Sequence, residues 1–363
     1  LYLQAVWQET SVHIIDSHFH WWPRSIFDKL CKRSDFPKAR VNSKNNNTGF
    51  SGGGYDYMRS ASSGQHLNSW AEWFDLDRQF EYMAETTGHQ VDVVCSIGPF
   101  SVFFSDVPVE EGRDYALMWN EEMADAQKKY PGRLWASAAV PLQDTRVAIE
   151  VVDDAVNRLG LMGVNLPGSV GADARIDSER LEPFYAHCEK LGLPVFLHPT
   201  DVVFQDMLSD GYDGALHLSL GRVIEVSVAA MRLILSGMME RHPKLKIIMS
   251  HTGGSLPYQA GRMDKNSKAA KLPRPVTDYM KRMYTDTVSP HSAGMKFAID
   301  YYGIDHVMYG TDYPCWDPAA CLKLIDEIEL SGADKQKLFY DNARRILGLK
   351  DPVKALKREP ALV

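Results

Sequence analysis

Eight short apolar runs rich in β-branched residues recur along the chain, at 12–17, 91–97, 134–140, 162–166, 194–197, 246–250, 282–287 and 306–310, the run at 282–287 being the weakest. Longer segments with helical spacing of apolar residues lie between them, at 75–87, 114–129, 146–159, 179–191, 221–241 and 319–330. Strands that alternate with helices build βαβ units and a parallel sheet. Eight such strands, each with a crossover, fit a sheet closed on itself, so the expected fold class is α/β with (β/α)8, or TIM, barrel architecture. The competitor is a doubly wound open sheet, which wants a glycine-rich phosphate turn after its first strand. Here the first strand runs into Ser17-His18-Phe19-His20 with no glycine. No internal repeat and no second boundary is visible, so 1–363 is read as a single barrel domain.

One segment breaks the alternation. Residues 34–69 are rich in Asn, Ser and Gly, including Asn45-Asn46-Asn47 and Gly52-Gly53-Gly54. It is expected as a long loop inserted after strand one, over the C-terminal barrel mouth, where it serves as a lid or substrate wall.

Composition narrows the partners. The formal net charge of -7 argues against nucleic acid or an anionic membrane, which call for a basic face. No apolar stretch approaches the length of a bilayer span. The five cysteines, at 31, 95, 188, 315 and 321, are scattered and form no C-x-x-C, which fits a reducing, cytoplasmic setting. Residues 1–10 carry neither a basic start nor a long apolar run, so no secretory signal is expected there.

The chemistry-bearing residues stand where strands stop. His18 and His20 are separated by one residue, so strand periodicity turns both side chains to one face, which at the end of a barrel strand is the interior. Strand five ends Leu197-His198-Pro199, strand six Ser250-His251-Thr252-Gly253-Gly254, and strand eight Gly310-Thr311-Asp312-Tyr313-Pro314. A single strand-end histidine is most simply a structural group. The same placement at four strand ends points to a shared metal site. Imidazole nitrogens and a carboxylate oxygen suit zinc first, and also manganese, iron or cobalt.

These motifs, in this order, resemble the amidohydrolase superfamily, and within it the branch of 2-amino-3-carboxymuconate-6-semialdehyde decarboxylase and related metal-dependent decarboxylases and hydrolases. The resemblance is carried by Ile15-Asp16-Ser17-His18-Phe19-His20, Tyr130-Pro131-Gly132-Arg133-Leu134, Val140-Pro141-Leu142-Gln143, Phe196-Leu197-His198-Pro199-Thr200-Asp201, His242-Pro243-Lys244-Leu245-Lys246, Ser250-His251-Thr252-Gly253-Gly254 and Tyr309-Gly310-Thr311-Asp312-Tyr313-Pro314. It implies one divalent ion held by His18, His20, His198 and Asp312, with His251 beside the substrate as a catalytic group, and a homodimer. Many hydrolytic members carry a carbamylated lysine after strand four and bind two metals. Strand four here reads Gly163-Val164-Asn165-Leu166, which disfavours a binuclear site.

An ion of this kind activates water or polarises a substrate oxygen, and an imidazole takes or gives a proton near neutral pH. Asp312 can ligate through one oxygen and steer a proton with the other. Protonation of the carbon that bears a carboxylate, followed by loss of carbon dioxide, makes a decarboxylase acting on an aromatic or muconate-like acid. Attack of water on a carbonyl makes a hydrolase, and its addition to a double bond a hydratase. The resemblance covers all three and runs closest to the decarboxylase. A non-catalytic metal-binding scaffold is the remaining alternative, and it would be expected to lack a ligand or His251.

Substrate contacts are assigned to Arg59, Phe19, Trp22, Thr200 and Trp316. An arginine in the inserted loop can clamp a carboxylate with two parallel bonds, and the aromatic residues can line a slot for a flat conjugated acid. Thr200 departs from the bulkier aromatic that the resemblance implies, which suggests a different or larger substrate. Trp73, beside the helix that starts at 75, is read as core. Asp16 shares the inward parity of His18 one step deeper, and is read as supporting the ligands or the barrel floor. Glu225 is read as orienting a ligand from behind, with a surface role as the competing reading.

Overall fold

The structure is a computed structural model that describes residues 13–46, 49–60, 66–170, 175–200, 208 and 212–349. Residues 1–10, read above for a secretory signal, lie outside them. In chain order the strands are β1 (Ile14–His20), β2 (Lys38–Asn42), β3 (Gly54–Met58), β4 (His66–Asn68), β5 (Val91–Ser96), β6 (Leu134–Ala138), β7 (Gly163–Pro167), β8 (Pro194–His198), β9 (Lys246–Met249), β10 (Tyr284–Asp286) and β11 (Val307–Met308). Eight of them form one parallel sheet in the order β1-β5-β6-β7-β8-β9-β10-β11.

The two edges of this sheet meet. Ser17 N donates to Tyr309 O at 2.8 Å, Asp312 N to His18 O at 2.7 Å, and His20 N to Tyr313 O at 2.9 Å. The expected (β/α)8 barrel is borne out. Strands β1, β5, β7 and β8 are buried at every residue, because the barrel interior covers one face and the helices the other. This double burial is why the strands read as continuous apolar runs.

Boundaries moved in informative places. The first strand continues through both histidines to His20 instead of stopping at 17, with an irregularity in register between Asp16 and Phe19. The helix expected over 221–241 divides into Arg222–Leu235 and Met238–Arg241, at Gly237 with φ 77°. Helix starts follow local capping: the side chains of Asp75, Asp144 and Asp317 accept from Arg78 N, Val147 N and Ala320 N. The helix Ser292–Tyr302, which supplies the crossover from β10 to β11, was not singled out in the sequence.

The insertion is not an irregular loop. β2, β3 and β4 pair as an antiparallel sheet, β2 with β3 and β3 with β4. Glycine, asparagine and serine mark its turns, while Val41, Tyr55, Tyr57 and Leu67 supply its strands. Tyr57 packs on Phe100 and Phe103, and Tyr55 on Phe27 and Phe74. Phe27 follows β1, and Phe100 and Phe103 follow β5, so the small sheet is fastened to the segments that leave the C-terminal ends of these two strands. All five cysteines are free thiols. Among the described residues no helix is long and apolar enough to cross a membrane.

Candidate metal centre

His18, His20, His198 and Asp312 come from the C-terminal ends of β1, β8 and β11 and are all buried, and each offers a ligand atom within 4.8 Å of the others. His18 Nε2 lies 3.2 Å from His20 Nε2. Asp312 Oδ1 lies 3.4 Å from His18 Nε2 and 2.9 Å from His20 Nε2. With metal–nitrogen bonds of about 2.0–2.1 Å, two ligands of one ion stand roughly 2.9 Å apart at a right angle and roughly 3.35 Å apart in a tetrahedron. The three separations among His18, His20 and Asp312 span that range, and the His198 ligand atom lies within 4.8 Å of each.

Each imidazole is oriented through its other nitrogen. His18 Nδ1 meets Asp286 Oδ2 at 2.6 Å, His20 Nδ1 meets the Ser96 carbonyl at 3.0 Å, and His198 Nδ1 meets the Pro199 carbonyl at 2.7 Å. A ring that donates from Nδ1 carries its lone pair on Nε2, so three lone pairs face one point. His198 Nε2 is buried and has no hydrogen-bond partner among the described residues, an unusual state for a ring nitrogen unless a cation takes it.

Charge tells the same story. Burial lowers the pKa of His20 and, more strongly, of His198, which keeps both neutral. Burial also acts to lower His18, but Asp312 and Asp286 outweigh it and raise this ring to about 10. Burial pushes against the ionisation of Asp312, yet His18, His20 and His251 together hold it well below the usual carboxylate range. The two buried carboxylates, Asp312 and Asp286, require compensating positive charge, which without a cation only a proton on His18 provides. A divalent cation supplies it, and the four donors form a site for one.

Asp286 escaped the sequence reading. Its Oδ2 takes His18 Nδ1 and, at 3.2 Å, His251 N. Its Oδ1 takes Thr252 N at 3.1 Å and Val288 N at 3.0 Å. His251 and Thr252 both have φ 55°, a costly backbone for residues with a Cβ, and these bonds hold it. The signal was present: Asp286 ends a strand, as His198 does, but that strand was the weakest of the eight.

His251 stands beside the cluster. Its Nε2 lies 3.4 Å from Asp312 Oδ2, while Oδ1 faces His18 and His20, and its Nδ1 has no partner among the described residues. Asp16 sits beneath. Its carboxylate accepts from His18 N at 3.0 Å, Thr311 N at 3.0 Å and Thr311 Oγ1 at 2.5 Å, tying β1 to the segment after β11. Burial pushes its pKa up to about 7 against the pull of those bonds. Glu225 is 1% exposed, which removes the surface reading, and takes Thr200 N on both oxygens at 3.0 Å.

The predicted substrate contacts fare unevenly. Thr200 is buried two residues past His198, and Trp316 is exposed after β11. Arg59 has its guanidinium on Asp106, Nε to Oδ2 at 2.8 Å and Nη2 to Oδ1 at 2.6 Å, so the carboxylate in its fork is the protein's own. Phe19 is fully buried and stacks on Tyr313 at 6.1 Å, because the alternation that turns His18 and His20 inward turns Phe19 outward. Trp22 is equally buried, donates to the Ile97 carbonyl at 2.9 Å and packs 4.1 Å from Trp73. Trp73 is buried as expected, but its ring also stacks on His20 at 5.6 Å. Gly98 also abuts this ring: a Cβ there would lie 2.5 Å from His20 Cε1.

The chain belongs to the amidohydrolase family, whose profile matches residues 15–349. It is similar to the gamma-resorcylate decarboxylase of Rhizobium sp. (strain MTP-10005), 32% identical over 244 residues, 63% of this chain and 75% of the relative. It is similar to the 2-amino-3-carboxymuconate-6-semialdehyde decarboxylase of Dictyostelium discoideum, 30% identical over 257 residues, 68% of this chain and 70% of that protein. Among solved structures, the dihydroxybenzoic acid decarboxylase of Polaromonas sp. JS666, with bound manganese and the inhibitor 2-nitroresorcinol, matches with a TM-score of 0.67 and 26% identity over 76% of this chain and 87% of that one.

Proposed function

We propose that this protein is a metal-dependent, non-oxidative decarboxylase of an aromatic or muconate-like carboxylic acid, with His18, His20, His198 and Asp312 as the ligands of a single divalent ion. The observation that carries the reading is the division of labour within Asp312. One oxygen faces the imidazole cluster and the other faces His251, so a proton carrier stands next to the cation site. When bound, the ion supplies positive charge that offsets the anionic groups of the substrate. His251, oriented by Asp312 and by its own amide on Asp286, delivers a proton to the ring carbon that bears the carboxylate. The bond from that carbon to the carboxyl group then breaks, its electron pair returns to the conjugated system, and carbon dioxide leaves. No oxidant is needed.

We take zinc as the ion, on the donor set of three imidazoles and one carboxylate. Manganese, bound in the Polaromonas enzyme, is the alternative that metal analysis separates. Asn165 supports a mononuclear site, since it stands in strand four with its amide committed to the Ser137 and Ala138 carbonyls. We read 1–363 as one barrel domain, with the sheet β2-β3-β4 walling one side of the mouth, acting as a homodimer in a reducing cytoplasm. The test is a panel of hydroxybenzoic and muconate-type acids with product identification. The decarboxylated product is expected from at least one. A hydrated or hydrolysed product in its place would move the protein to the other reaction class.

A further inference from the structure

Asp312 has a left-handed backbone, φ 60°, in a region that residues with a Cβ rarely occupy. Its amide is fixed on the His18 carbonyl at 2.7 Å. With that nitrogen held, a change of φ turns Cβ about the N–Cα bond and swings the carboxylate away from its neighbours. Those neighbours leave little tolerance, since Oδ1 lies 2.9 Å from His20 Nε2 and Oδ2 lies 3.4 Å from His251 Nε2. The left-handed backbone must therefore be held from outside the aspartate.

Thr311 is placed to hold it. The residue is fully buried. Its amide donates to Asp16 Oδ1 at 3.0 Å, the oxygen that also accepts from His18 N. Its hydroxyl donates to Asp16 Oδ2 at 2.5 Å and accepts from Tyr313 N at 3.0 Å. The bond from Tyr313 N passes over Asp312 and closes a small turn with the aspartate in the middle. A hydroxyl has one proton, and Asp16 takes it, so the lone pairs are left for Tyr313 N. The chain on either side is pinned as well. Tyr313 pairs in parallel with Phe19, and its carbonyl accepts from His20 N at 2.9 Å. Gly310 lets the segment press on β1, because a Cβ there would lie 2.8 Å from His18 Cβ.

We infer that Thr311 is a positioning residue whose hydroxyl, bridged between Asp16 and Tyr313 N, holds Asp312 in the backbone that presents one oxygen to the metal site and the other to His251. The inference rests on the proposed reading only in taking Asp312 as a metal ligand. Asp16 is the fixed end of the bridge. The same carboxylate carries His18 N, so one buried group sets the spacing between two ligands. Removing the hydroxyl without changing the shape leaves Tyr313 N without this acceptor and Asp16 Oδ2 without this donor. Asp312 is then free to relax toward negative φ.

The test compares Thr311→Val, which keeps the shape and loses the hydroxyl, with Thr311→Ser, which keeps the hydroxyl. Metal affinity is read on stripped protein by competition with a chromophoric chelator, ligand geometry from the visible spectrum of cobalt(II)-loaded protein, and turnover on metal-saturated protein. Thr311→Val is expected to bind metal about 10- to 100-fold more weakly, to change the cobalt spectrum and to lose kcat rather than KM. Thr311→Ser is expected to follow wild type in all three. Should Thr311→Val not fold, Thr311→Ala, which places no methyl group against Asp16, carries the same comparison with serine. A valine or alanine variant that melts earlier but keeps affinity, spectrum and kcat would overturn the inference, the mark of a residue that only closes the barrel seam. So would a serine variant as impaired as the valine one. The two readings fail separately. Loss of metal affinity in Asp312→Ala with none in Thr311→Val sinks this inference alone. Wild-type affinity in Asp312→Ala sinks the ligand assignment and the inference with it. The expected metal results without carbon dioxide release from any acid sink the decarboxylase alone.

Discussion

Replacing Asp286 with Asn keeps shape and volume, removes one negative charge from beside the site and changes which of its atoms can accept. In the wild-type protein Oδ2 accepts from His18 Nδ1 and His251 N, and Oδ1 from Thr252 N and Val288 N. The asparagine amide must give one of these positions to an NH2 group. If NH2 takes the Oδ2 position, His251 N loses its acceptor, and His18 can adapt only by moving its proton from Nδ1 to Nε2. That proton then points into the metal site. If NH2 takes the Oδ1 position, His18 keeps its tautomer but two amides are orphaned. Each buried donor left without a partner costs about 1–3 kcal/mol. Without metal the variant settles in the first arrangement, about 1–3 kcal/mol less stable than wild type. Metal binding forces the second and carries the cost of one additional orphaned amide, so affinity falls by roughly 5- to 150-fold. Competition with a chromophoric chelator measures the affinity, and thermal melting of apo and loaded protein measures the stability. A variant that binds metal within twofold of wild type would refute the argument that Asp286 sets the tautomer of His18.

Alanine at His18, His20, His198 or Asp312 is expected to lower metal occupancy and abolish turnover together, read by metal analysis on the same sample as the assay; a variant with full metal and normal turnover removes that residue from the ligand set. His251→Ala is expected to keep its metal and lose about 10²- to 10⁴-fold in turnover, whereas parallel loss of metal would make it a ligand. Gly98→Ala places a Cβ 2.5 Å from His20 Cε1 at a residue with φ 60°, so it should weaken metal binding by about tenfold or more; unchanged affinity would mean that His20 has room to move. Trp73→Ala removes a buried ring stacked on His20 and is expected to cost about 3–5 kcal/mol of stability, measured by denaturant unfolding, with Trp73→Phe recovering most of it.

The barrel and its four-residue cluster were legible because both depend on short-range rules. Period-two alternation places His18 and His20 on one face whatever the rest of the chain does. A strand that is covered on both faces must be apolar, so its end is visible where the first histidine or aspartate interrupts the run. Asp286 was hidden because β10 is three residues long and its apolar run is short. The inserted sheet was hidden because Gly52, Gly53 and the asparagines of its turns dominate the composition, while its strands hold together by pairing between residues 8 to 20 apart, such as Met58 with His66 and Lys38 with Met58. Arg59 misled for a related reason: its partner Asp106 is 47 residues away, and no local pattern announces a pair across that distance.

The central claim is tested most directly by the carbon dioxide released per acid consumed, in protein stripped of metal and in the same protein reloaded with zinc or manganese. On this account the stripped protein is inactive, and one equivalent of metal per chain restores turnover with one carbon dioxide formed per acid consumed. Turnover that survives complete removal of the metal, or consumption of the acid without carbon dioxide, would contradict it.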